Sequence, residues 1–140
     1  MTKQIFINLP VKNLEQSVNF YKQLGFSIYP LFTFNDQKCM AWGEQILVML
    51  HSKEFFNSDN KKQLIDPREF LIPSFSLPVE SLEKVNSIME RGLKVGGKEP
   101  DPMIDEGFMQ IRTIKDFDGY CWGIIYLDLN KFRESQKTNG

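Results

Sequence analysis

Ile7-Asn8-Leu9-Pro10-Val11-Lys12-Asn13-Leu14-Glu15 recurs further along the chain as Phe75-Ser76-Leu77-Pro78-Val79-Glu80-Ser81-Leu82-Glu83, with five of the nine positions identical. Such a repeat says that one supersecondary unit has been used twice, and it constrains the fold more than any local propensity does. Each copy opens with an apolar run suited to a strand. It then reaches a proline, which cannot donate to a strand ladder, and a helix-start residue, Asn13 in the first copy and Ser81 in the second. After Asn13 the apolar residues Leu14, Val18, Tyr21 and Leu24 recur at helical spacing, and Gly25 stands where a left-handed residue ends a helix. After Ser81 the residues Leu82, Val85, Met89 and Leu93 do the same, with Gly92 near the end.

Beyond each helix lie short β-rich runs separated by polar turns. In the first half they are Phe26 to Phe34, Lys38 to Trp42 and Gln45 to His51. In the second they are Lys94 to Val95, Phe108 to Ile114 and Tyr120 to Leu127, with a Pro-containing insertion at Glu99 to Met103 and a turn at Asp116-Phe117-Asp118-Gly119. Ser52 to Asn57 reads as a helical turn or two, and Leu129 to Thr138 as either a short helix or a frayed tail. Each half is thus strand, helix, strand, strand, strand. The fold expected is α+β: two tandem βαβββ modules, about 1–66 and about 70–128, in a single domain spanning 1–140 with a tail from 129. One helix covers only one face of its sheet. The other face needs a partner, and curved mixed sheets that enclose a cavity, or a second subunit, would provide it.

The bulk composition narrows the function classes. The 140 residues are 41% hydrophobic and 25% charged, and 17 basic against 18 acidic side chains leave a net charge of -1. That balance argues against a nucleic-acid partner. No apolar run is long enough for a membrane span and the N-terminus lacks a signal-peptide pattern, so a cytoplasmic protein is expected. Cys39 and Cys121 are too few and too far apart for a disulfide framework. His51 is the single histidine. A site built from several imidazoles is therefore excluded within one chain.

The chain resembles the vicinal oxygen chelate superfamily, which includes glyoxalase, extradiol dioxygenases and bleomycin-resistance proteins. The resemblance rests on Asn8-Leu9-Pro10-Val11, on Leu14-Glu15-Gln16-Ser17-Val18-Asn19-Phe20-Tyr21 and on Leu24-Gly25-Phe26. In the second half it rests on Gly107-Phe108-Met109, Asp116-Phe117-Asp118-Gly119-Tyr120 and Trp122. These segments are most similar to the bacterial glyoxalase-like branch. The resemblance implies a divalent metal held by His, Gln or Glu at four repeated strand positions. Here those positions hold Phe6, Ser74, Gly123 and either Val48 or Met49, none of which suits a hard divalent ion. All 18 carboxylates also fall in expected helices, turns or segment ends. No metal and no cofactor is therefore expected.

The expected function is a small-molecule-binding, glyoxalase/bleomycin-resistance-like protein with a degenerate metal site, cytoplasmic and homodimeric, taking a small apolar or aromatic ligand. The alternative is a metal-dependent lyase of the lactoylglutathione lyase kind, or an extradiol dioxygenase, with displaced ligands. Residues expected to line the pocket are Phe6, Asn8, Val48, Met49, Ser74, Ser76, Cys121 and Gly123. Asn8 and Ser76 are equivalent in the repeat, and polar residues on an inner face call for hydrogen-bond partners, whether a ligand or each other. Cys121 should share a face with Gly123 and Ile125, as a packed thiol. His51 is expected to face solvent at a strand end, and Arg112 to lie on the surface.

Overall fold

The helix-start signals in the two copies of the repeat work by the same hydrogen bond. The Gln16 N–H donates to Asn13 Oδ1 at 3.0 Å and the Lys84 N–H to Ser81 Oγ at 3.0 Å, each satisfying a backbone donor that the first turn leaves unpaired. Helix α1 (Leu14–Leu24) then runs to Gly25, whose φ of 111° lets the chain turn out of the helix. Helix α2 (Leu82–Lys94) continues through Gly92 and turns at Gly96. These elements belong to a computed structural model that describes residues 3–54, 67 and 71–139.

The chain divides into two units, Met1–Leu71 and Ile72–Gly140. The first contains β1 (Ile5–Val11), α1, β2 (Ser27–Ile28), a 3-10 turn at Pro30–Phe32, β3 (Gln37–Trp42) and β4 (Ile46–Ser52). The second contains β5 (Phe75–Pro78), α2, β6 (Ile104–Asp105), β7 (Met109–Lys115), β8 (Cys121–Leu127) and α3 (Leu129–Asn139). The sheets have orders β1-β4-β3-β2 and β5-β8-β7-β6, with the first pair in each parallel and the rest antiparallel. The fold is therefore α+β with tandem βαβββ units.

Two expectations need correction. The run Phe26 to Phe34 yields only the two-residue β2, because Pro30 has no N–H for a ladder and opens a 3-10 turn instead. Lys94 and Val95 close α2 rather than forming a strand. The second strand of that unit comes later, as Ile104–Asp105 just beyond the prolines. Residues 129–139 form a regular helix, since Asp128 caps it by accepting from the Lys131 N–H at 3.1 Å. The helical turn expected over 52–57 lies outside the described residues beyond Glu54, and Ser52 ends β4.

Helices α1 and α2 each pack on one face of their own sheet. On the first sheet Val11, Met40, Val48 and Leu50 are fully buried, as are Phe20, Tyr21 and Leu24 of α1. On the second, Ile114, Trp122 and Ile124 are buried, as are Val85, Ile88 and Met89 of α2. At about 1.5–3 kcal/mol for each large apolar side chain removed from water, these layers dominate the stability of each unit. They leave the opposite face of each sheet to be decided by other residues.

Candidate functional site

The register of the first sheet determines which side chains meet on its helix-free face. Phe6, Asn8 and Pro10 of β1 stand beside Leu47, Met49 and His51 of β4, which in turn stand beside Ala41, Cys39 and Gln37 of β3. Because neighbouring partners point to the same side of a sheet, these nine residues share a face. Val48 pairs with Ile7 and Met40 on the helix side. The fourth position of the resemblance is thus Met49, and Val48 belongs to the helix-side core.

Most of this face is apolar. Cys39, Ala41, Leu47 and Met49 form a buried cluster against which Tyr29 and Phe32 pack. Phe32 stacks on Tyr29 with ring centroids 5.8 Å apart and meets the ring of Phe6 edge-on at 5.5 Å. Into this setting the chain places two polar side chains that bond to each other: His51 Nε2 and Asn8 Oδ1 are 2.9 Å apart. Tyr29 and Gln37 escape sequence reading as members of the face: Tyr29 lies in the irregular stretch after β2, which has no periodicity to assign its direction, and Gln37 reads as the end of a polar turn although it opens β3.

His51 does not face solvent as expected. It is 8% exposed, because β4 lies between β1 and β3 and continues to Ser52, so Pro10 and Gln37 flank the imidazole. Burial pushes its pKa below the usual imidazole value, outweighing the opposite pull of the Asp36 carboxylate. The ring is therefore neutral at pH 7. In the Nε2–H tautomer it donates to Asn8, and Nδ1 is buried. The bond to the Asn8 amide fixes the direction of the imidazole.

In the second unit Ser76, Gly123 and Thr113 form a row on the helix-free face, and Cys121 and Ile125 share it. A Cβ on Gly123 would stand 3.2 Å from Ser76 Oγ and 3.6 Å from Ile111 Cγ2, so this position has little room for a side chain. Ser74 precedes β5 in an irregular, exposed segment. The Cys121 thiol is pushed up chiefly by burial, more than Lys115 pulls it down, which makes it a packed thiol and a poor nucleophile. The Asp116-Phe117-Asp118-Gly119 turn is structural: Asp116 Oδ1 accepts from the Asp118 and Tyr120 N–H groups at 2.9 and 2.8 Å, and Gly119 has φ 93°.

Arg112 departs from expectation too. Its register with Ile124 turns it to the helix side, where its side chain is only 14% exposed. The guanidinium donates to both carboxylate oxygens of Glu99 at 2.9 and 2.7 Å and to Asn86 Oδ1 at 3.1 Å, with Glu90 at 3.5 Å. Glu99 is held below the usual carboxylate range by that hydrogen bond. The network ties α2, the segment before β6 and β7 together.

A divalent ion is not suited by these residues. Phe6 and Gly123 carry no donor, Met49 offers only a thioether, and Ser74 only a hydroxyl. Among the described residues no three of His, Cys, Asp and Glu come together. Asp105, at the end of β6, accepts from Gln110 Nε2 at 3.0 Å and from the Gly107 N–H at 2.8 Å. It caps a turn.

Comparison with solved structures bears on the arrangement as a whole. A glyoxalase-related enzyme from Fulvimarina pelagi superposes with a TM-score of 0.75 at 19% identity, covering 90% of this chain and 88% of that one. A glyoxalase/bleomycin resistance protein/dioxygenase family enzyme from Burkholderia phytofirmans does so with a TM-score of 0.69 at 11% identity, covering 87% and 96%. The chain has the vicinal oxygen chelate fold. A hypothetical protein of S. aureus superposes with a TM-score of 0.76 at 26% identity, covering 90% of this chain and 95% of that one. No family model and no curated protein matches the chain. Among the described residues, no helix is long and apolar enough to cross a membrane.

Proposed function

We propose that the protein binds a small, largely apolar or aromatic molecule on the helix-free faces of its sheets, without a metal. The observation that carries this reading is the Asn8–His51 pair set among Phe6, Phe32, Met49 and Cys39. Ligand sites are typically apolar surfaces with a few placed polar groups. Asn8 is exposed, and its Nδ2 can offer donors to a ligand acceptor while Oδ1 is occupied by His51. Ser74, Ser76, Cys121 and Gly123 are the corresponding candidates of the second unit. The metal site is degenerate in this reading, and the protein is a cytoplasmic homodimer.

A second reading has a specific observation behind it. Tyr29 and Phe32 already pack on the Cys39–Met49 cluster, so the face of the first unit can be regarded as filled by the chain's own aromatics, which would make this an interaction protein. One experiment separates the readings. The chain is labelled at its methionine methyl groups and titrated with a panel of small aromatic compounds, before and after incubation with nickel, zinc, manganese and iron. Saturable shifts of the Met49 methyl in metal-free protein support the proposal. Stoichiometric retention of a metal would overturn it in favour of a lyase or dioxygenase with displaced ligands. Absence of any shift at Met49 across the panel would favour the filled face.

A further inference from the structure

A separate hollow of about 310 Å³ lies on the helix side of the first unit, bounded by α1, β2 and β3. Helix α1 contributes Val18 and Lys22, one turn apart, with Asn19 and Glu15. The sheet contributes Ile28 and Lys38: Ile28 pairs with Met40, and Lys38 is two residues from Met40, so both turn toward the helix. We propose that this hollow binds a small organic anion, a single carboxylate or phosphate group carried on an apolar body.

Charge and shape both favour that class of ligand. Lys22 and Lys38 stand on opposite walls, and among the described residues neither side chain makes a hydrogen bond or an ion pair. Two like charges sharing one concavity repel until an anion joins them. Among the described residues Glu15 is the only carboxylate in the lining and lies two helical turns from Lys22, so the two lysines outnumber it there. Val18 and Ile28 supply an apolar wall for the body of the ligand, and the Asn19 amide a further donor. The wall is preformed: the Thr33 hydroxyl donates to Tyr29 O at 3.0 Å and accepts from the Cys39 N–H at 3.1 Å, which pins the turn before any ligand arrives. The volume sits at the small end of the range for ligand sites, suited to one ring with one acidic group.

The test is a titration of the uniformly ¹⁵N-labelled full chain at constant ionic strength with phenyl phosphate, benzoate and inorganic phosphate. Phenyl phosphate or benzoate is expected to produce saturable millimolar shifts of the Val18, Asn19 and Ile28 amides, and comparison of the two identifies the acidic group. Inorganic phosphate, which leaves Val18 and Ile28 uncovered, should bind more weakly. Lys22→Gln and Lys38→Gln should each weaken binding about tenfold, the effect of losing one charge-assisted hydrogen bond. Lys22 is exposed on the helix, so its variant keeps the test decisive should Lys38→Gln disturb the sheet. Shifts that never saturate, binding unchanged in Lys22→Gln, or inorganic phosphate binding as tightly as phenyl phosphate would each overturn the proposal.

Discussion

Replacing Asn8 by alanine removes the oxygen that accepts from His51 and leaves a neutral imidazole, 8% exposed, without that bond. A neutral hydrogen bond contributes about 0.5–1.5 kcal/mol net, and because Asn8 is exposed, water can take part of its place, so Asn8→Ala should cost about 1 kcal/mol. His51→Ala also loses the packing of a buried ring between Pro10 and Gln37, and about 2–3 kcal/mol is expected. If the two losses share one bond, the double variant will be more stable than the sum of the singles predicts, by about 1 kcal/mol. Urea unfolding followed by circular dichroism would measure all four proteins, with unchanged denaturant slopes showing that only stability has moved. A coupling below about 0.3 kcal/mol would refute the claim that the pair acts as a unit. The same proteins test the ionisation of His51. Its folded pKa is depressed, so the unfolded chain binds the proton more readily. Its contribution is complete above the unfolded value of about 6.5 and falls as the pH drops from there through the folded value. His51→Ala should flatten that part of the stability profile, and an unchanged profile would count against a buried neutral imidazole.

Further outcomes follow from other contacts. Gly96 has φ 109° and a Cβ there would stand 2.7 Å from Phe117 Cε1, so Gly96→Ala should lower stability by about 2–3 kcal/mol; Phe117→Leu in the same chain should recover only the steric part. Glu99→Ala leaves Arg112 under α2 with Asn86 and the exposed Glu90, and a loss of about 2 kcal/mol is expected by thermal unfolding, less than for a fully buried pair because the two side chains are 14% and 23% exposed. Burial raises both thiols, Cys39 to about 11, so reaction with a disulfide reagent at pH 7 should be slow in the native protein and fast in urea. Rapid native labelling of Cys121 would contradict its packed environment.

What could be read from the sequence was what neighbouring residues encode. The caps at Asn13 and Ser81, the stop at Gly25 and the Asp116 turn are all local hydrogen bonds or backbone requirements, and they appear where the residues announce them. The short extent of β2 within the run Phe26 to Phe34, and the place of β6, are not legible there, because a two-residue edge strand has no period to detect and its pairing is decided by its neighbour. His51 was misjudged for a related reason. Its burial depends on β1 entering beside β4 in parallel, a pairing between residues some forty positions apart, and no local pattern records it. The same register separates Met49 from Val48, and the β7 register decides the side taken by Arg112. The side of the sheet that Met49, Val48 and Arg112 take is therefore set by strand pairing and is not legible in their local sequence.

The parallel insertion of β4 beside β1 also bears on how each unit comes into being. The β3–β4 hairpin closes over the short turn at Gly43 and Glu44, whereas β1 must wait for a partner whose first residue, Ile46, lies far downstream of Ile5. Closing the longer loop costs more chain entropy, so β1, which opens its unit, is expected to be the last strand to join its sheet. Until then its exposed apolar edge has no partner, and the second unit repeats the delay between β5 and β8. Pulse-labelling hydrogen exchange should show the amides of β3 protected before those of β1. In a protein of this build, the start of each unit is where folding ends.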